Sequence, residues 1–165
     1  MSEVTLEEFR IYIDRLKDGK TEKLDGSFST DFLEVKDQEL SFSGTVEVTG
    51  ETYLADDTLV LHFGVKTTTL QPCAICNKAC SYTIRVKGHY HAEDTSEIRT
   101  GIFDFRNVLR DAILLEVPSV VECQDGKCPD REDIVKYFAK AQDSQKMDAS
   151  HDAYHPFSDL NIELN

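Results

Sequence analysis

Two short-spaced cysteine pairs constrain the fold of this chain more than any other feature of its sequence. The first pair is Cys73 and Cys76, and the second is Cys123 and Cys128. Four thiolates in two such pairs are typical of a tetrahedral zinc site, in which one ion joins two loops that are distant in sequence. Because the protein would supply all four ligands, no coordination position would be open for catalysis. We therefore predict a structural zinc ion bound by these four residues.

The chain contains five cysteines, so one thiol is left over whichever pairs form. Cys80 is the competing ligand, because it follows the first pair closely in sequence. The alternative to metal binding is a thioredoxin-like redox role for Cys73 and Cys76. That motif normally lies between a strand and a helix, whereas strand-like segments flank it here.

The beginning of the chain has neither the basic start nor the apolar run of a secretory signal. No apolar stretch approaches the roughly 20 residues that a membrane-spanning helix requires. We therefore expect a cytoplasmic protein with no membrane partner. In that reducing compartment, cysteines bind metals or remain free thiols more often than they form disulfides.

Hydrophobic spacing predicts a helix at the start of the chain and strands after it. Thr5 and Glu8 fit a capping box. A helix over about residues 6–17 follows from the helical spacing of Leu6, Phe9, Ile13 and Leu16. Apolar and polar residues then alternate over residues 40–49, 58–65 and 82–90, which indicates half-buried strands. Since no helical segment separates these strands, we expect them to pair antiparallel.

The helical period returns after Asp104 and ends before Pro118, and a second helix opens near Pro129. The predicted fold class is therefore α+β. We expect an antiparallel sheet or small open β-barrel with an N-terminal helix and two C-terminal helices. Residues 1–142 would form one domain, and residues 143–165 would be a polar C-terminal tail with a composition typical of disorder.

The net charge of −13 favours basic partners and opposes nucleic acid binding by the molecule as a whole. Any RNA contact therefore needs a local basic face. Positive or titratable side chains recur at every second position in Arg85, Lys87, His89 and His91. On a strand they would share one face, and they are the candidate phosphate- or RNA-contacting residues. The opposite, buried face would carry Tyr82, Ile84, Val86 and Tyr90. The alternative is that the four candidate residues form the solvated face of an antiparallel strand.

Motifs for catalysis are absent from the sequence. There is no phosphate-binding loop, no dinucleotide fingerprint, no zinc-protease motif and no nucleophile elbow. No nucleophile has a local signature, so we assign no catalytic residue. We therefore expect that the protein is not an enzyme and has no small-molecule substrate.

Four segments of the chain resemble the YceD family, the large ribosomal RNA subunit accumulation proteins. Cys73-Ala-Ile-Cys76 lies between alternating segments, as does the mid-chain cysteine pair of that family. Residues 103–118 are similar to a family helix that ends in Ile-Leu-Leu and a following proline. The downstream Cys-Pro element is matched by residues 123–129, and the terminal Pro-Phe segment by residues 155–160.

This resemblance implies a non-enzymatic factor that supports large-subunit ribosomal RNA accumulation or ribosome assembly. The implied partners are a ribosomal protein or a ribosome-assembly intermediate, and large-subunit ribosomal RNA itself. Two other functions compete with this expectation. One is a thiol-redox protein that uses Cys73 and Cys76, and the other is an acidic protein-interaction domain that binds a basic protein.

Overall fold

Three long antiparallel strands form the centre of the protein in a computed structural model that describes residues 6–136. The strands are β1 (Arg10–Tyr12), β2 (Thr21–Lys23), β3 (Gly26–Ser29), β4 (Ser41–Ala55), β5 (Thr58–Pro72), β6 (Ala79–Asp94) and β7 (Ile102–Asp104). The helix α1 spans Arg106–Leu115, and short 3-10 helices span Leu6–Phe9, Ile13–Gly19 and Thr30–Leu33. One further helical turn spans Cys123–Gly126.

The main sheet has the order β2-β4-β5-β6, and β3 also pairs with β4. Strands β1 and β7 form a separate two-stranded sheet. Every pairing among these strands is antiparallel and the main sheet is open, so the predicted α+β class is confirmed. The period-two hydrophobic pattern predicts correctly which side of β5 is buried. The apolar residues on that side are Leu59, Leu61, Phe63 and Val65.

The prediction of an α-helix over residues 6–17 is wrong. The structure has two 3-10 helices there, and β1 lies between them and pairs with β7. The helical reading omitted Ile11, which is buried together with Phe9 and Ile13. These three residues alternate with exposed or half-buried ones, and the β-branched side chains of Ile11 and Ile13 favour a strand. Pairing with β7 therefore outweighs the weak helical periodicity.

An aromatic cluster and α1 cover one face of the main sheet. The Phe9 ring stacks on Phe28 with a centroid distance of 4.5 Å, and the Phe105 ring lies 5.6 Å from Phe9. The predicted apolar stripe of α1 is confirmed by the burial of Leu109, Ala112 and Ile113. The Asp104 carboxylate accepts a hydrogen bond from the backbone N–H of Arg106 at the helix start (3.0 Å). Because of this packing, the segment that follows α1 runs back toward the loop that joins β5 to β6.

The described residues up to Cys128 form one compact unit, and those from Pro129 onward belong to a second. Residues 131–136 are helical, as expected for the second C-terminal helix. The proposed tail, residues 143–165, lies outside the described residues. Across residues 6–136, no helix has the length and apolar character needed to cross a membrane.

Gly50 occupies a place in β4 where no side chain fits. A Cβ atom there would lie 2.6 Å from Phe63 Cα and would also collide with the carbonyl oxygen of His62. We expect Gly50→Ala to lower the free energy of unfolding by about 1–3 kcal/mol, because the two central strands would have to separate. Urea denaturation measures this change. The exposed neighbour Glu51 supplies the control, since Glu51→Ala should stay within about 0.5 kcal/mol of the wild type. Equal midpoints for both variants would contradict this account.

Candidate metal centre

The first cysteine pair lies in the loop that joins β5 to β6, directly after the last paired residues Pro72 and Ala79. Two backbone hydrogen bonds close this loop. The N–H of Cys73 donates to the carbonyl oxygen of Lys78, and the N–H of Asn77 donates to the carbonyl oxygen of Cys73, both at 2.9 Å. Asn77 has a positive φ of 57°, which asparagine tolerates better than most residues. The tight loop therefore keeps the two thiols close to each other.

The second pair lies in the segment that follows α1. Its residues Gln124 and Asp125 have left-handed backbone angles, with φ of 55° and 53°, and Gly126 continues the left-handed turn with φ of 85°. Left-handed conformations cost a non-glycine residue roughly 1–2 kcal/mol. This turn brings Cys123 and Cys128 to the same point, so the surrounding contacts have to offset its cost.

Backbone hydrogen bonds join the two cysteine loops. The N–H of Ala74 donates to the carbonyl oxygen of Val121 (2.9 Å), which aligns the two segments side by side. The N–H of Cys123 donates to Cys73 Sγ (3.3 Å), and the N–H of Ile75 donates to the same sulfur (3.5 Å). The Cys73 sulfur therefore receives hydrogen bonds from both loops.

The four predicted ligand atoms converge. The Sγ atoms of Cys73, Cys76, Cys123 and Cys128 all lie within 4.8 Å of one another. Cys76 Sγ and Cys123 Sγ are 3.8 Å apart. A tetrahedral zinc ion with Zn–S bonds of about 2.3 Å separates its sulfur ligands by about 3.8 Å. These four cysteines can therefore hold a metal ion with only small adjustments.

Cys73 and Cys128 are buried, and Cys76 and Cys123 are half-buried. Hydrogen bonds from the backbone N–H groups of Cys76 and Cys123 lower the pKa of Cys73 to about 6. The groups that lower this pKa are mainly backbone donors rather than basic side chains. Hydrogen bonding with Cys128 raises the pKa of Cys123, so neighbouring thiols cannot all ionise together without a cation. A bound dication would supply the missing positive charge.

Cys80 does not belong to this cluster. Its Sγ donates to the carbonyl oxygen of Gln71 (3.3 Å), on the strand beside it. Burial raises the pKa of this thiol, which disfavours the thiolate form that binds metal. The structure therefore selects Cys73, Cys76, Cys123 and Cys128 over any set that includes Cys80.

The four residues of the predicted basic stripe do not share one face, so that prediction is wrong. Lys87 and Gly88 together oppose Gly64, because Val86 pairs with Val65 while His89 pairs with Phe63. This is a β-bulge, and Gly88 takes the positive φ of 63° that it requires. One extra residue reverses the side-chain alternation from that point onward.

Arg85 and Lys87 stay exposed, whereas His89 and His91 turn toward the covered side of the sheet. There the His89 ring lies 5.1 Å from Phe63, and the His91 ring lies 5.8 Å from Phe103. Burial lowers the pKa of His89, so its neutral form is favoured. The two histidines are thus separated from the face that carries the two stronger cations.

The bulge also moves a residue that the sequence pattern assigned to the buried face. Tyr90 is 64% exposed, and its ring stacks on His62 with a centroid distance of 4.0 Å and an interplanar angle of 7°. A glycine inside an alternating segment is a recognised signal for a bulge. Gly88 was therefore the one sequence feature that could have revealed this arrangement.

We compared the chain with protein-family models, with curated proteins and with solved structures, and none of the three comparisons gave a match.

Metal analysis tests the centre directly. We expect about one zinc ion per chain in protein purified without chelator. Cys73→Ser and Cys128→Ser should each abolish most of the bound zinc and lower the melting temperature, because each removes a buried ligand and metal binding contributes to folding. Cys80→Ser is the matched control and should keep the zinc of the wild type. Equal zinc content in all three variants would exclude this ligand set.

Proposed function

We propose that this protein is a non-enzymatic, cytoplasmic factor that supports large-subunit ribosomal RNA accumulation or ribosome assembly, with a structural zinc ion. The observation that carries the proposal is the convergence of four cysteine sulfurs from two loops. The two loops are separated by about fifty residues that include β6 and α1. A metal ion at this point would tie the end of the β5–β6 hairpin to the segment after the helix.

Zinc suits this donor set better than other common metals do. All four candidate ligands are soft thiolates, and tetrahedral sulfur coordination is typical of zinc in a reducing compartment. A site that the protein saturates leaves no position for water or substrate, which favours a structural rather than a catalytic role. The alternative S4 occupant is iron, and metal analysis distinguishes the two.

The ribosomal assignment is supported by where the resembling segments lie. The segments similar to the YceD family include the β5–β6 loop, the region of α1 and the Cys123–Gly126 turn. Those are the elements that bring the four sulfurs together. The net charge of −13 also favours contact with a basic ribosomal protein or an assembly intermediate.

Sedimentation tests this assignment. The full-length protein should co-sediment with precursors of the large subunit in extracts of growing cells at low ionic strength. Cys128→Ser should sediment less with these particles, because loss of the zinc ligand loosens the fold, whereas Cys80→Ser should behave as the wild type does. If all of the wild-type protein stayed in the ribosome-free fraction, the proposal would fail.

A thiol-redox function competes for the same sulfurs, and the pKa of about 6 at Cys73 favours it. Three features weigh against it. Cys73 is only 2% exposed, its motif lies in a strand-to-strand loop, and two further thiols crowd the same point. An acidic interaction domain is the other competitor. Capture of one non-ribosomal basic protein in place of ribosomal components would favour that function.

Alkylation separates the metal-binding and redox functions. In zinc-loaded protein near neutral pH, we expect the four clustered cysteines to react slowly with iodoacetamide, and a chelator should accelerate their reaction. Mass spectrometry of the labelled peptides assigns each site. Cys80 is the internal control, because its reactivity should not depend on the chelator. Fast labelling of Cys76 in zinc-loaded protein, together with reversible dithiol oxidation, would favour the redox function.

A further inference from the structure

The face of the main sheet that lies opposite the aromatic cluster and α1 carries an exposed aromatic stack. His62 on β5 and Tyr90 on β6 are directly opposite each other, and their rings are parallel. His62 covers one side of the Tyr90 ring, and 64% of Tyr90 remains exposed. A flat, exposed aromatic surface at the β5–β6 edge of the sheet is suited to stacking with a planar ligand.

Positive charges lie on the same face, on the side of the stack that is nearer the β5–β6 loop. Arg85 lies directly opposite Lys66 in the β5–β6 register. Like charges at directly opposed positions destabilise a sheet, so this arrangement favours an anionic ligand. Lys66 lies 3.5 Å from a carboxylate oxygen of Glu47. Among the described residues, no carboxylate oxygen lies within 4.0 Å of a side-chain nitrogen of Arg85 or Lys87. The Arg85 guanidinium group and the Lys87 ammonium group are therefore available to a ligand.

The β-bulge at Gly88 creates this combination. With regular alternation, Tyr90 would share the covered face with Ile84 and Val86. The extra residue brings Tyr90 to the same side as Arg85 and Lys87, and it moves the two histidines to the other side. The aromatic surface and the unpaired cations are therefore neighbours because of one glycine.

We propose that this face binds single-stranded RNA, with a base stacked on Tyr90 and phosphates contacted by Arg85 and Lys87. Stacking of bases on aromatic side chains, together with nearby cations for the backbone, is how sheet surfaces bind single strands. The choice of RNA rests on the proposed function. It is also favoured by the hydroxyl groups of Thr68 and Thr83, which are directly opposite each other on this face and suit a ribose 2′-hydroxyl.

The charge of the whole chain limits the extent of this contact. The face carries three carboxylates and four cations. The carboxylates are Glu47, Glu51 and Asp94, and the cations are Lys23, Lys66, Arg85 and Lys87. A long duplex would lie over regions dominated by the net charge of −13. A short unpaired segment, read mainly by stacking, avoids most of that repulsion.

Binding of a fluorescein-labelled oligoadenylate RNA to the full-length protein, followed by fluorescence anisotropy at several salt concentrations, tests the proposal. Tyr90→Ala should weaken binding by about 5- to 150-fold, as expected for one lost stacking contact. It should leave the slope of log Kd against log salt unchanged. The double variant Arg85→Gln/Lys87→Gln should lower the magnitude of that slope by about 1.4, as two phosphate contacts in a single strand imply.

Matched controls distinguish a contribution of this face from a general effect of changing β6. Tyr82 is a partly exposed tyrosine on the same strand but on the opposite side, opposite the buried Thr69, so Tyr82→Ala should bind as the wild type does. Lys36 is exposed and outside the sheet, so Lys36→Gln removes a charge without affecting this face. Tyr90→Phe should keep the RNA affinity of the wild type. Tyr90→Leu should lose that affinity, although leucine still provides an apolar neighbour for His62. Thermal melts establish that each variant is folded.

Absence of RNA binding by the wild type at low salt would overturn this inference, as would unchanged affinity in both folded Tyr90→Ala and Tyr90→Leu. Equal or tighter binding to oligodeoxyadenylate of the same length would overturn the choice of RNA. These outcomes are separate from those of the proposed function. Co-sedimentation with large-subunit precursors that survives Tyr90→Ala, without RNA binding by the isolated protein, would refute this face and leave the ribosomal role standing.

Discussion

The contact between the β5–β6 loop and the segment after α1 is the constraint on which the site depends. A hydrogen bond between Ala74 and Val121 aligns the two segments, and the Cys73 sulfur accepts an N–H from Cys123. These contacts between protein groups bring the four sulfurs together. Because thiolates repel one another, such a cluster is most stable when a cation neutralises it. The same contact holds the segment after α1 against the hairpin, so the geometry of the candidate metal centre depends on the fold.

A second constraint is the β-bulge at Gly88. It divides β6 into a part whose cations face solvent and a part whose histidines face the covered side. The exposed Tyr90 ring is a consequence of the same shift. The β5–β6 hairpin thus contributes to both sites. Cys73 and Cys76 of the candidate metal centre lie in its loop, and the aromatic stack lies toward its other end. A change that slips the β5–β6 register would therefore disturb both.

The three long strands and α1 were predictable because their hydrophobic periods extend over many residues and match burial on one face. The segment over residues 6–17 was not, since Phe9 and Ile13 fit a helical stripe and a strand equally well. The deciding factor was β7, a partner about ninety residues away that the local pattern does not contain. The stripe of Arg85 and His89 failed for a related reason. Strict alternation assumes regular pairing. Gly88 signals that a bulge can form, but only the pairing across Gly64 shows that one does.

The sequence by itself determined the residue types and spacing of the candidate ligands, the antiparallel character of the sheet and the absence of a catalytic motif. These properties follow from side-chain chemistry and local periodicity. Only the tertiary structure decided that Cys80 lies outside the sulfur cluster and that Gln124 and Asp125 adopt left-handed angles. It also decided which face carries Tyr90. Each of these depends on contacts between segments far apart in the chain, whose energies no local pattern encodes.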